Sequence, residues 1–479
     1  MQLKNNNIIP ESLLKALEGI RGFEREGFVQ VHEAGAQLTS VRLNPAKQPS
    51  VAAPGDWLPI ESQVPWCPTG YYLKERPSFT LDPLFHAGTY YVQEASSMFL
   101  WQALQQLTGQ TGRHIGQSAE AAQHLPDQSL QYKVLDLCAA PGGKSSLLAS
   151  FFPEGFIVAN EVIRTRAAIL VENLAKWGTH HVVVTNNDPA HFKPLGNYFD
   201  LIVADAPCSG SGMFRKDPAA IGEWSEENVM LCSQRQQRII ADIYPVLKEN
   251  GLLIYSTCSY SKEENEDMLD WMINEFDLES CAVAVDPQWG IETVESDKHH
   301  AAGYRFYPNK AKGEGFFMAV LRKTSGNPVR YVKKNNLTAA TKQEIATVAN
   351  WLNEDAERFF FKQNELILAA PAVQKEHIAL LQQHLYLRKA GAAVGTLKGK
   401  DLVPDHELAL SLLMKAGLPS VAVDKETALQ YLRKKEVNIT SVVKGWTIVQ
   451  YEGVNLGWVK VLPGRVNNYY PVEWRILKE

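Results

Sequence analysis

The stretch Lys133-Val134-Leu135-Asp136-Leu137-Cys138-Ala139-Ala140-Pro141-Gly142-Gly143-Lys144-Ser145 decides how this 479-residue chain reads. Residues 133–137 form a short apolar run of buried-strand character, 138–143 are small loop residues, and an apolar helix pattern follows. A strand that enters a helix through a small-residue loop opens a doubly wound α/β sheet, and the loop lets backbone N–H groups approach a ligand at the helix N-terminus. Further strand candidates lie at 155–159, 181–185, 200–204, 251–256 and 315–321. Amphipathic helix patterns at 164–177 and 226–248 alternate with them, the second stopped by Asn250-Gly251. Ser261-Lys262-Glu263-Glu264 fits a capping box that opens a helix towards Phe276.

Working outward, the α/β rhythm predicts a domain over 96–325. A small α+β unit precedes it over 1–95, and 108–131 is a loose polar insertion. After a linker at 324–328, a C-terminal region over 340–479 reads as helical at first and β-like over 446–476. The chain is too long for one ordinary core. Its six cysteines are dispersed, without a close pair or a Cys/His cluster of zinc spacing, so neither a disulfide framework nor a metal site is expected. The start lacks the apolar core of a signal peptide and no run reaches membrane-spanning length, which predicts a reducing cytoplasm and no membrane partner. The net charge of −5 is unevenly divided: 21 Lys/Arg against 15 Asp/Glu from residue 330 onward, and 27 against 38 before it. A basic appendage on an acidic body can hold a polyanion locally.

The tail of the opening stretch, Gly143-Lys144-Ser145, imitates a phosphate-binding loop, but Cys138 stands where the first glycine belongs. Four acids give a better account: Asp136, Glu161, Asp188 and Asp205 each follow a strand candidate. A carboxylate after the second strand can accept both hydroxyls of a ribose, and one after the third can reach an adenine edge. That ladder suits S-adenosylmethionine, whose sulfonium needs no phosphate clamp. Two cysteines also stand beyond strands, Cys208 in Asp205-Ala206-Pro207-Cys208 and Cys258 in Ser256-Thr257-Cys258-Ser259. One thiol can be a nucleophile and the other can move protons, as an enzyme needs when it adds to a ring and later eliminates from it. Cys258 precedes the expected helix start, where the dipole favours thiolate.

The segments Asp136-Leu137-Cys138-Ala139-Ala140-Pro141-Gly142-Gly143-Lys144, Asp205-Ala206-Pro207-Cys208-Ser209-Gly210, Arg215-Lys216-Asp217-Pro218 and Ser256-Thr257-Cys258-Ser259 together resemble the Nol/Nop/Sun family of RNA cytosine-5 methyltransferases. Arg42-Leu43-Asn44, the run from Tyr91 to Met98 and Glu314-Gly315-Phe316-Phe317 are similar to further family segments, so the resemblance spans roughly residues 40–323. Length and the basic extension are similar to a bacterial type that modifies 16S ribosomal RNA, and the extension resembles a PUA-like RNA-binding module. The resemblance implies a Rossmann-like S-adenosylmethionine-dependent methyltransferase domain between an N-terminal α+β domain and a C-terminal PUA-like domain, acting as a monomer. It implies that Cys138, Ala139, Ala140, Pro141, Gly142, Gly143, Lys144, Glu161, Asp188 and Asp205 contact the cofactor or its surroundings. It further implies Cys258 as nucleophile, Cys208 as its proton-handling partner and Asp205 as a stabiliser of the ring.

Carbon 5 of cytosine is a poor nucleophile, so a thiolate must first add to carbon 6. An ordinary thiol with a pKa of about 8.5 is only a few per cent ionised at neutral pH. The target base must leave its stack to reach the thiol. A DNA cytosine methyltransferase would use the Pro-Cys cysteine as nucleophile, and a small-molecule methyltransferase would leave both cysteines idle. A catalytically silent ribosome-assembly factor, or transfer RNA as substrate, are the remaining alternatives.

Overall fold

The computed structural model describes residues 9–50, 53–109, 132–326, 329, 331, 336–354, 357–439 and 443–478. Most of the expected insertion at 108–131, the end of the linker and the first eight residues lie outside the described residues. The central sheet runs in the order Glu292–Glu295, Ala302–Phe306, Phe316–Lys323, Leu247–Thr257, Phe199–Asp205, Lys133–Asp136, Phe156–Asn160, Val182–Thr185 and Leu387–Ala390, with Leu278–Ser280 also on Phe316–Lys323. The five strands from Leu247–Thr257 to Val182–Thr185 are parallel, each within a residue or two of its predicted position except the first, which starts earlier.

Alternation along these strands explains their burial on both faces. Val134, Leu201 and Val203 face one core with Leu147, Leu148 and Leu170, while Leu135, Ile202 and Ala204 face another with Ile239, Ile240 and Ile243. The sixth expected strand, Phe316–Lys323, runs antiparallel to Leu247–Thr257. It follows Ala302–Phe306 through a connection too short for a crossover, so the pair can only form antiparallel.

The expected helix over 226–248 is shorter, Glu226–Ile243, followed by a tight turn at Tyr244–Val246 and then the strand. Pro245 has no N–H to continue the helix. Asn250, with φ of 62°, marks a bulge inside the strand, where pairing slips from Phe199 opposite Leu247 to Leu201 opposite Leu252.

In the N-terminal unit, Ile60–Gln63, Gly70–Leu73, Thr39–Leu43 and Tyr90–Val92 form an antiparallel sheet. Its helices Glu11–Leu17 and Arg25–Glu33 pack on Phe214, Tyr260 and Tyr307, close to the segments that follow the two cysteines. The C-terminal region opens on a helix, Lys342–Ala349, as expected, but strands follow well before residue 446: a sheet containing Arg358–Gln363, Leu366–Pro371, Ala392–Lys398 and Asp401–Pro404, with the helix Lys375–His384 between them. Nor is it an appendage. Leu387–Ala390 pairs with Val182–Thr185, and Tyr431, Val459 and Tyr470 share a core with Val41, Leu43 and Tyr90. No helix among the described residues is long and apolar enough to cross a membrane.

A buried ion pair braces the edge beside the second cysteine. Arg305 on Ala302–Phe306 donates to both oxygens of Glu266, at 2.6 and 2.5 Å, and to the carbonyl of Tyr260 at 2.8 Å. Both side chains are almost completely buried, so removing one strands the other's charge. Arg305→Met is expected to destabilise the fold by about 3–5 kcal/mol, and Arg305→Met with Glu266→Leu by clearly less. Urea unfolding of the two variants measures the difference.

Candidate functional site

The ends of the five parallel strands meet at one edge. After Lys133–Asp136 the chain makes the small-residue loop and enters the helix Gly143–Phe151. Gly142 sits at φ of 114°, and a Cβ there would also press on Leu170. Asp136 is fully buried and accepts from the Ser145 hydroxyl at 2.6 Å; burial pushes its carboxyl up to about 7. Lys144 does not reach out as a phosphate-binding lysine would. Its ammonium lies 2.8 Å from Asp205 Oδ2 and over the Phe316 ring, while Asp205 Oδ1 accepts from Ser256 at 2.8 Å.

Glu161 is buried in the second strand's loop. Its Oε1 accepts from the Ile163 amide at 2.8 Å, whereas Oε2 has no hydrogen-bond donor among the described residues and lies 3.4 Å from the Arg166 guanidinium. Asp188 caps Pro189–Leu195 through the Ala190 amide and meets Arg238 at 3.3 Å. Asn160, overlooked in the sequence, ties these ends together. Its amide donates to the carbonyls of Leu137 and Asn187, and its oxygen accepts from Thr185 and the Asn187 amide. A polar residue closing an apolar strand is the signal that marks it.

Because Asp205 pairs with Ser256 in parallel register, the loops after these strands emerge side by side. Cys208 Sγ lies 2.9 Å from Cys258 Sγ and accepts from the Cys258 amide at 3.3 Å. The contact with Cys258, followed by burial, holds the Cys208 thiol well above the ordinary range. Gly212 is the close approach between the loops: its amide donates to the Cys258 carbonyl at 2.8 Å, and a Cβ there would lie 2.8 Å from that oxygen. The helix expected straight after Cys258 begins only at Glu266, so its dipole is not aimed at the thiol.

Ser261 caps nothing with its side chain, and Glu264 is not a capping residue. The Glu264 carboxylate is fully buried, accepts from the Ser209 amide at 2.8 Å and from the Ser209 and Ser259 hydroxyls at 2.5 Å each, and burial raises its pKa. Gln236 donates both to Glu264, at 3.1 Å, and to the Pro207 carbonyl, at 3.1 Å. The sequence pattern gives Glu264 only a capping role and does not single out Gln236. The latter could have stood out, as a polar residue on a helix face that otherwise buries Val229, Cys232, Ile239, Ile240 and Ile243.

A cavity of about 490 Å³ opens over this edge. It brings together Cys138, Ala140, Glu161, Asp205, Cys208 and Cys258 from the predicted set, with Asn160, Arg166, Arg235 and Arg238 added. Ala139, Pro141, Gly142, Gly143, Lys144 and Asp188 are not among its lining residues. The Cys138 thiol is pushed strongly up by burial, then by Asp205, Asp136 and Glu161. No cluster of metal ligands occurs among the described residues.

The chain matches the family described as 16S rRNA methyltransferase RsmB/F over residues 123–322, the N-terminal domain of 16S rRNA methyltransferase RsmF over 9–95, and the methyltransferase RsmF PUA domain over 418–476. Ribosomal RNA small subunit methyltransferase F of Aliivibrio salmonicida is 30% identical over 424 residues, covering 86% of this chain and 85% of the relative. Its counterpart from Klebsiella pneumoniae is 28% identical over 456 residues, covering 91% and 89%. Among solved structures, PH0851 superposes with a TM-score of 0.54 at 25% identity over 66% of each chain. NSun6 from Pyrococcus horikoshii with SFG shares the fold, with a TM-score of 0.50 at 18% identity over 66% of this chain and 98% of that one. The paired thiols, the strand-end acids and this similarity over most of both chains agree: the protein belongs to the ribosomal RNA small subunit methyltransferase F family.

Proposed function

We propose that the protein methylates carbon 5 of a cytosine in 16S ribosomal RNA in the cytoplasm, using S-adenosylmethionine, with Cys258 as nucleophile and Cys208 as proton-handling partner. The observation that carries this reading is the 2.9 Å approach of two thiols on the wall of a cavity shared with Glu161 and Asp205. The relatives' printed names and the PUA match support ribosomal RNA as substrate.

The cavity fits the cofactor. Its volume is in the range of nucleoside-sized ligands. Glu161 Oε2 is a buried acceptor without a hydrogen-bond donor among the described residues, as a ribose hydroxyl requires. Lys144 is already paired with Asp205, which suits a ligand without phosphates. The loop from Cys138 to Gly143 would hold the amino-acid part, Glu161 the ribose, and Asp188, through the turn into Pro189, the adenine end. When bound, S-adenosylmethionine supplies an electrophilic methyl group.

The residues of the chain do the rest. Cys258, as thiolate, adds to carbon 6 of the cytosine and pushes the ring's electron pair towards carbon 5, which takes the methyl group. Asp205 stands beside the thiols to accept from the polar edge of the ring. The Cys208 thiol lies against Cys258 and is held well above its ordinary range, chiefly by that contact and then by burial. After Cys258 has bonded to carbon 6, Cys208 gives up its proton to solvent. The Cys208 thiolate then takes the proton from carbon 5 as the carbon–sulfur bond breaks, and Cys258 leaves as thiolate. One proton is released for each methyl group transferred.

Cys258→Ala is expected to abolish methylation while leaving cofactor binding nearly intact. Cys208→Ala should complete addition and methyl transfer but stall release, accumulating a protein–RNA species that survives a denaturing gel and requires Cys258. An adduct formed by the Cys258→Ala protein instead would reverse the two roles.

Glu161→Ala removes the acceptor assigned to the ribose. Calorimetric titration with S-adenosylmethionine should show a dissociation constant raised roughly 10- to 100-fold. An unchanged constant would remove Glu161 from the cofactor site.

A further inference from the structure

The two cysteine loops are anchored differently. The Cys258 loop is fixed from the start of its own helix, where Thr257 donates to Asn265 at 2.6 Å and Asn265 donates back to the Ser259 carbonyl at 2.8 Å. Two further bonds tie the two loops to each other, from the Gly212 amide to the Cys258 carbonyl and from the Tyr260 amide to Ser211 at 2.9 Å. The residues immediately flanking Cys208 converge on one buried carboxylate, directly or through Gln236. On one side, the Pro207 carbonyl is held by Gln236, which also donates to Glu264. On the other, both the amide and the hydroxyl of Ser209 end on Glu264. Glu264 does not line the cavity. It acts on the chemistry through Cys208.

We propose that Glu264 is a positioning residue for Cys208, so that release of the methylated base depends on it while addition by Cys258 does not. Its carboxylate accepts from three groups of the Cys208 side for every one from the Cys258 side, the Ser259 hydroxyl. A carboxylate suits the place because it only accepts, with lone pairs for all four donors. Glutamine is close in shape but loses the charge, and its amide nitrogen must make the Ser209 and Ser259 hydroxyls accept where they now donate. The Ser209 side of Cys208 then loses its charged acceptor while the Cys258 segment keeps its bonds with Asn265.

This inference rests on the two-thiol reading above, and the test separates the two. Wild-type protein, Cys208→Ala, Glu264→Gln and Ser209→Ala are each mixed with S-adenosylmethionine labelled in the methyl group and small-subunit ribosomal RNA, free and in subunits. Cofactor binding, first-turnover methyl transfer, later turnover and denaturant-resistant adduct are measured. Glu264→Gln should bind cofactor and complete the first turnover at near wild-type rate, while later turnover falls roughly tenfold or more and adduct accumulates as for Cys208→Ala. Ser209→Ala should show the same pattern more weakly, and it decides the matter if Glu264→Gln does not fold. If Cys208→Ala traps adduct but the Glu264 and Ser209 variants release product like the wild type, the role of Glu264 is overturned and the two-thiol scheme stands. Equal loss of first turnover and release in both variants would make Glu264 merely structural, which also overturns it. If Cys208→Ala itself traps nothing, the two-thiol reading fails.

Discussion

Asp205 pairs with Ser256 in two adjacent parallel strands, and the rest of the site depends on that register. Parallel neighbours end at the same edge, so the segments that leave them start side by side and point the same way. Two cysteines 50 positions apart in the chain are thereby brought into contact with no disulfide between them. A slip of one residue would turn every side chain of the strand to the opposite face, exchanging the two cores and separating the thiols. Residues such as Val203 and Ile254 on one face and Ile202 and Leu253 on the other, all nearly without exposure, guard against that slip.

Placed in contact, two like groups do not remain alike. The Cys208 thiol is held well above its ordinary range by the Cys258 sulfur against it, then by burial and by the negative charge of Glu264 nearby, and the amide bond it accepts from Cys258 only partly offsets them. Chemical inequality here arises from packing rather than from residue type. A third thiol, Cys138, reaches the same cavity, and burial with three surrounding carboxyls pushes its pKa strongly up. The cavity wall thus holds three cysteines in three distinct environments.

Much of this could be read in the chain. Strand-period apolar runs located the parallel strands, and the Pro-Cys and Thr-Cys segments marked the thiols because each followed such a run. What escaped was of two kinds. Glu264 was misread because a Ser-x-x-Glu spacing has a ready local meaning, whereas its partners Ser209 and Gln236 are distant in sequence and close only through the sheet. The first C-terminal sheet was missed because its short strands, such as Leu366–Pro371 and Ala392–Lys398, look like fragments of helix until they pair. Local pattern carries information about a residue's own element. It carries almost none about which distant group that residue will meet.

The strand Leu387–Ala390 adds an order in time to this architecture. It covers the flank of Val182–Thr185, which would otherwise present a row of unpaired amides and carbonyls. As the chain leaves the ribosome, the parallel strands are complete once Thr257 has emerged, yet that flank stays open until another 130 residues have been made. Throughout that interval the nascent sheet has an adhesive side, and the segment that closes it belongs to the region carrying the chain's excess positive charge. Maturation of the catalytic domain is therefore tied to synthesis of the far end of the molecule, and a truncated product would carry an uncapped sheet rather than a smaller enzyme.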